Sequence, residues 1–158
     1  MNESIEQQMR TLKLGGLAKA WQTVAFEEPE QYIRDLMALE LREREANRIN
    51  RMVKTAGFRV IKTLDEFIWN KAIDLPNGLS QTDMTSLSFV DRKENLIFMG
   101  AVGTGKTHLA TALAMQACED GKQVRFYTAA SLANLLLEKN QRGLLNTFMN
   151  ALKRVELI

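Results

Sequence analysis

Residues 100 to 107, Gly-Ala-Val-Gly-Thr-Gly-Lys-Thr, have the composition and spacing of a loop that wraps phosphate groups. They fit G-x-x-x-x-G-K-[ST] at every fixed position. Backbone N–H groups can surround a triphosphate only if the chain bends tightly and no Cβ intrudes, which is the use of Gly100, Gly103 and Gly105. Thr104 lies within the same bend. A helix starting at the loop would aim its free N–H groups and its dipole at the anion. Lys106 would then serve as a point charge for the β- and γ-phosphates. Thr107 would place its hydroxyl on Mg²⁺. The expected ligands are therefore ATP and Mg²⁺, held by Gly100, Gly103, Thr104, Gly105, Lys106 and Thr107, with Thr107 as the metal residue. His108 follows the loop; a lone His at that place reads as a packing or hydrogen-bonding residue.

Such a loop needs a strand before it and a helix after it. "NLIFM" at 95–99 is a continuous apolar run, as in a strand buried on both faces of a parallel sheet. A helix is expected from about 105 to 119, and "QVRFYT" reads as a second strand. "AASLANLLLEK" and "LLNTFMNALK" read as two helices, and "VELI" opens a third strand. This is the beginning of a right-handed α/β arrangement.

The first part of the chain reads as all-helical. Ser4 and Gln7 fit a capping box, with Ile5, Met9 and Leu12 on one face. Gly15-Gly16 is expected to break that helix, and "LAKAWQTVAF" to resume it. Pro29 opens a long third helix, with Ile33, Leu36, Met37, Leu41, Ile49, Met52, Val53 and Ala56 as its apolar face. Gly57 stands where a C-cap would. The opposite side carries Arg42, Arg44, Arg48, Arg51 and Lys54, offset by Glu40, Glu43 and Glu45. It reads either as a solvated face laced with ion pairs or as a surface for nucleic-acid phosphates, the latter through Arg44, Arg48, Arg51 and Lys54. Thr63-Leu-Asp-Glu66 suggests another capped helix through Phe67, Ile68 and Trp69, of which Phe67 and Trp69 read as packing residues. "LPNGLSQTD" reads as turn chemistry. The domain boundary is expected there, giving a helical partner- or DNA-binding domain at 1–78 and an ATP-binding domain at 79–158.

The totals exclude several classes. The chain has 158 residues, 46% of them apolar and 25% charged, enough to build a core. Its net charge is +2, which is only mildly basic. One cysteine and one histidine cannot form a clustered zinc site or an internal disulfide. No apolar run is long enough for a membrane helix, and the polar N-terminus is unlike a signal peptide. The expected location is the cytoplasm.

Hydrolysis would need a strand ending in an acid that helps order Mg²⁺. Asp91 precedes the 95–99 run too closely to belong to a parallel neighbour. Glu138 falls in a helix, and Glu156 opens its strand instead of closing it. The 158 residues stop inside "VELI". The expectation is a chain that holds a nucleotide without turning it over, with self-association through an unpaired edge at 155–158.

With these pieces in place the chain resembles the front portion of the IstB-like ATP-binding proteins. These are helper ATPases of insertion-sequence transposases, similar to the DnaC helicase loaders and part of the AAA+ group. The resemblance is carried by "LKLGGLAKAW", "ALELREREANRINRMVKTAGF", "TLDEFIW", "ENLIFMGAVGTGKTHLATALA" and "QVRFYTAASLANLL". It implies a helical domain that engages DNA or a transposase, followed by the first part of a P-loop AAA+ parallel sheet that assembles on DNA with ATP. Two other roles stay open: a DnaC-like loader of a replicative helicase, and a non-catalytic DNA- or protein-interaction module.

Overall fold

The computed structural model describes residues 4–70, 73–76 and 78–158. The described chain forms two compact units, Met1–Arg51 and Met52–Ile158. The boundary expected between 78 and 79 lies inside the second unit.

The first unit is built from α1 (Ile5–Thr11), α2 (Gly15–Ala20), a 3₁₀ turn (Trp21–Thr23) and most of α3 (Pro29–Ala56). Ser4 accepts from the Gln7 N–H, and the Gln7 side chain returns the bond, so α1 starts at its predicted capping box. It ends earlier than Gly15-Gly16. Lys13 takes the left-handed conformation (φ +59°), and the two glycines instead open α2. Gly16 is needed there: a Cβ would come within 2.8 Å of Glu43 Cβ and 3.1 Å of Glu40 Cα. The backbone of α2 can pack this closely on α3 only through a residue with no side chain.

The predicted apolar face of α3 needs correction. Ile33, Met37 and Leu41 are exposed. The residues turned inward in this stretch are Leu36, Ala38, Leu39, Glu40 and Glu43, and Glu40 is the most buried at 6% exposure. The reason is polar. One Glu40 carboxylate oxygen accepts from the N–H groups of Gly16 (2.8 Å) and Leu17 (3.1 Å), and the other accepts from Arg44 Nε (2.7 Å). The α2 N-terminus has no side-chain cap of its own, so Glu40 satisfies it from 24 residues away.

The second unit has an apolar core. Ala56, Met84, Leu87, Phe89, Val90, Leu109, Leu113, Ala117 and Val124 are buried together. They come from the end of α3, from α4 (Gln81–Thr85), α5 (Ser88–Asp91) and α6 (Lys106–Glu119), and from the segment after α6. α7 (Ala129–Gln141) and α8 (Leu145–Leu152) follow, as predicted for this stretch. One sequence expectation fails here: the residues after Thr63 form a turn closed by Phe67 N–H to the Leu64 carbonyl (3.0 Å), with no helix. Asn77 of the predicted turn is outside the described residues; beside it, Gly78 has φ +87° and Leu79 N–H bonds the Pro76 carbonyl (3.0 Å).

The predicted sheet is present only as a single parallel bridge, Val124 with Leu157, among the described residues. Arg125 N–H donates to the Leu157 carbonyl (3.0 Å) and Glu156 N–H to the Gln123 carbonyl (2.9 Å). Residues 95–99 join no ladder. They are not buried on both faces: Leu96 and Phe98 pack on the core, while Ile97 and Met99 are 83% and 88% exposed. Between this segment and the Val124–Leu157 pair lies a groove of about 870 Å³, lined by Phe89, Leu96, Phe98, Leu113 and Val124 among others. The groove separates the backbones that a continuous sheet would have to join.

Candidate nucleotide site

The loop at 100–107 is not part of that groove. It lies on the surface, where α6 begins. Gly100, Gly103 and Gly105 take φ of +148°, +84° and +86°, conformations in which an L side chain is strained. Gly103 has open space where a Cβ would stand, so a ligand can come against the backbone itself. Gly105 is the N-cap of α6 and supplies no side-chain cap. The first N–H groups of that helix are therefore not taken by a capping side chain, which suits an anion.

Two polar side chains turn back into the loop. Lys106 Nζ donates to the Ala101 carbonyl (2.6 Å) and to Thr104 Oγ1 (3.3 Å), and Thr104 Oγ1 donates to the Ala101 carbonyl (2.9 Å). Thr107 is exposed in the first turn of α6. Behind it, Thr111 Oγ1 donates to the Thr107 carbonyl (2.7 Å). Gly100, Gly103, Thr104, Gly105, Lys106 and Thr107 thus lie together in one turn and the helix start after it. Among the described residues no cluster of His, Cys, Asp and Glu could hold a metal ion by itself. Any Mg²⁺ at this place would need ligand oxygens as well as Thr107.

The carboxylates considered from sequence have other partners. Asp91 pairs with Lys122 (2.5 Å) at the end of α5. Glu138 pairs with Arg142 (3.1 Å), and Glu156 accepts from Gln123 N–H (2.7 Å). Residues that sequence reasoning treated only as packing prove to lie at the loop. The Phe67 ring touches the Gly105 position and stacks edge-on with Trp69 and His108. His108 Nε2 lies 3.3 Å from the Thr63 carbonyl. The only sequence signal for this was "TLDEFIW", whose helical reading concealed it.

The basic face of α3 is more internally paired than its sequence suggests. Arg44 is bound to Glu40, and its Nη2 donates to the Lys13 carbonyl (3.1 Å). Arg48 makes a two-pronged pair with Glu45 (2.6 and 2.9 Å), and Arg51 Nε donates to the Asn47 carbonyl (3.3 Å). Arg44, Arg48 and Arg51 do recur along one side of the helix, beside a shallow cavity with Leu41 and Asn47. Lys54 is exposed and belongs to the second unit.

Comparison with known proteins decides the family. Residues 7–158 match the family described as IstB-like ATP binding protein. The chain belongs to that family. A protein of insertion sequence IS5376 from Geobacillus stearothermophilus, named for ATP binding, is 31% identical over 149 residues, which is 90% of this chain and 59% of that protein. An insertion-sequence protein from Mycobacterium tuberculosis, also named for ATP binding, is 32% identical over 124 residues, 75% of this chain and 49% of its own length. The chromosomal replication initiator DnaA of Aquifex aeolicus is 40% identical over 65 residues, covering 40% of this chain but 16% of DnaA. The chain spans about half the length of these two insertion-sequence relatives. Among the described residues no helix is long and apolar enough to cross a membrane.

Proposed function

We propose that this IstB-like chain binds Mg-ATP through Gly100–Thr107 and serves as a helper in DNA transposition. The observation that carries the reading is the loop geometry. Three glycines with positive φ lead into an α6 that lacks a side-chain cap, and the Lys106 ammonium is turned into the same bend. A triphosphate would replace the Ala101 carbonyl as the partner of Lys106, exchanging a neutral acceptor for an anionic one. Thr107 would be the protein's oxygen on Mg²⁺. The metal's part is to neutralise the charge of the β- and γ-phosphates.

The same reading assigns residues 1–78 to DNA or transposase contact and places the protein in the cytoplasm. DNA contact would fall on Arg44, Arg48, Arg51 and Lys54. Their pairing with Glu40 and Glu45 means that any such contact must compete with existing ion pairs. In this reading the short Val124–Leu157 pairing belongs to a wider parallel sheet, and the 158-residue polypeptide holds ATP without sustained turnover. Asp91, Glu138 and Glu156 all have partners away from the loop, which supports that last point. The likeness to DnaA favours a second reading, a role in replication such as helicase loading. It covers too little of DnaA to displace the first.

Three assays test the proposal. The first is the anisotropy of labelled duplex DNA, titrated with the chain over a salt series, with and without Mg-ATP. A slope of log affinity against log salt that shrinks in an Arg44→Ala, Arg48→Ala, Arg51→Ala variant is expected. An unchanged slope leaves α3 without a DNA role. The second is phosphate release from ATP, where turnover abolished by Lys106→Ala would refute the claim of binding without hydrolysis. Capture of a hexameric helicase in place of a transposase by the immobilised chain would favour the replication reading.

A further inference from the structure

Gly105 is the residue from which α6 starts, and its left-handed turn sets the direction of the helix's first N–H groups. A Cβ at Gly105 would meet Phe67 Cε2 at 3.1 Å and Cζ at 3.7 Å. Phe67 therefore lies directly against this turn, although it is 38 positions away in sequence (105 − 67). The ring is fixed from two other sides. Trp69 stacks edge-on at 5.0 Å and His108, in the first turn of α6, does so at 5.3 Å. The backbone is fixed too: Phe67 N–H bonds the Leu64 carbonyl (3.0 Å), and His108 Nε2 is 3.3 Å from the Thr63 carbonyl. Residues 63–69 are thus clamped onto the helix start, while Ala101, Val102, Gly103 and Thr104 of the loop are exposed.

We infer that Phe67 is a positioning residue for phosphate binding: its ring, braced by Trp69 and His108, holds the Gly105 turn and the α6 N-terminus in the orientation that a polyphosphate requires. The inference rests on the nucleotide reading above and adds to it a residue outside the loop. A left-handed glycine is conformationally permissive, so without a neighbour the turn would sample other directions. Part of the binding energy would then be spent on ordering it, because preorganisation sets how much of the contact energy appears as affinity. Loss of the ring should weaken binding of the phosphates themselves, whatever base is attached. A ring that served only as a stacking surface for the base would leave a base-free polyphosphate unaffected.

The test compares calorimetric affinities of the full chain for Mg-ATP and for inorganic tripolyphosphate with Mg²⁺, in wild type, Phe67→Ala and Phe67→Leu, well below the melting temperature. Phe67→Ala should weaken both ligands by about tenfold, roughly 1.4 kcal/mol. Phe67→Leu, which restores much of the volume, should recover part of both affinities, leaving a loss of about threefold. Amide exchange at Gly103–Thr107 should quicken in Phe67→Ala while Leu113–Cys118 stay protected, a pattern that general loss of stability does not give. If Phe67→Ala does not fold, Phe67→Leu decides, with a loss of about threefold expected for both ligands. A loss confined to Mg-ATP, or none in either variant, overturns the inference and leaves the nucleotide reading standing. Wild-type chain that binds neither ligand overturns both.

Discussion

The two units of this chain are held by different forces. In Met1–Arg51 the organising group is a buried carboxylate: Glu40 caps α2, pairs with Arg44, and through Arg44 reaches the Lys13 carbonyl. Lys19 and Glu43 add an ion pair beside it. Among the described residues of this unit the buried apolar side chains are Leu17 and Ala18, while Phe26, Ile33, Met37 and Leu41 are exposed. In Met52–Ile158 the order is reversed, with an apolar cluster from α4, α5 and α6 and ion pairs confined to its surface. The overall 46% apolar fraction conceals this split. The first unit should answer to pH and to the loss of one polar group. The second should answer to cavities.

The largest effect belongs to the apolar unit. Leu113 is 2% exposed in α6, so Leu113→Ala should cost about 2–5 kcal/mol by urea unfolding, from lost transfer energy and the cavity left behind. A cost below about 1 kcal/mol would mean that α6 is loosely packed.

Next comes the polar hub. Glu40→Ala leaves two N–H groups of α2 without their acceptor and should cost about 2 kcal/mol, read as helix signal lost from the first unit. Burial alone would push the Glu40 carboxyl up, but bonds from Arg44, Leu17 and Gly16 outweigh it and hold the group below its ordinary 4.5. A lowered folded pKa means that the stabilisation is complete above pH 4.5 and fades as pH falls through the folded value. Glu6, Glu43 and Glu45 are shifted in the same direction. Glu40→Gln should therefore flatten, without abolishing, the acid loss of α2 packing. An equally steep profile in the variant would show that the hub lies elsewhere.

The finest contrast is between adjacent glycines. Gly16→Ala drives a Cβ into α3 and should cost about 1–3 kcal/mol. Gly15→Ala meets nothing within 4 Å and should be neutral or stabilising by up to about 1 kcal/mol. Equal melting temperatures for the two variants would contradict the close approach of α2 to α3.

Local chemistry was readable in the sequence and long-range contacts were not. Ser4 with Gln7, Pro29 and Gly57 each act on the nearest turn of backbone, and the elements they mark are where they were expected. The glycine bend at 100–105 and the helix after it were legible for the same reason. Thr63-Leu-Asp-Glu66 carried a signal like that of Ser4 and misled, because Phe67 and Trp69 pack toward Gly105 and His108 instead of extending a helix. Glu40 looked like one charge of a solvated face because its partners, Gly16 and Leu17, lie more than twenty positions away. The apolarity of 95–99 by itself suggests a buried strand, yet Ile97 and Met99 face outward. Apolar content does not state which edges of a strand are paired.

We propose above that the bend at Gly100–Thr107 is a phosphate site with Lys106 as its charge. Its most direct test is calorimetric titration of the wild-type chain and of Lys106→Ala with Mg-ATP under identical salt. Saturable one-to-one binding by the wild type and at least about tenfold weaker binding by the variant are expected, since a charge-assisted contact of about 1.4 kcal/mol or more is removed. Equal heats and equal affinities in the two proteins would contradict it.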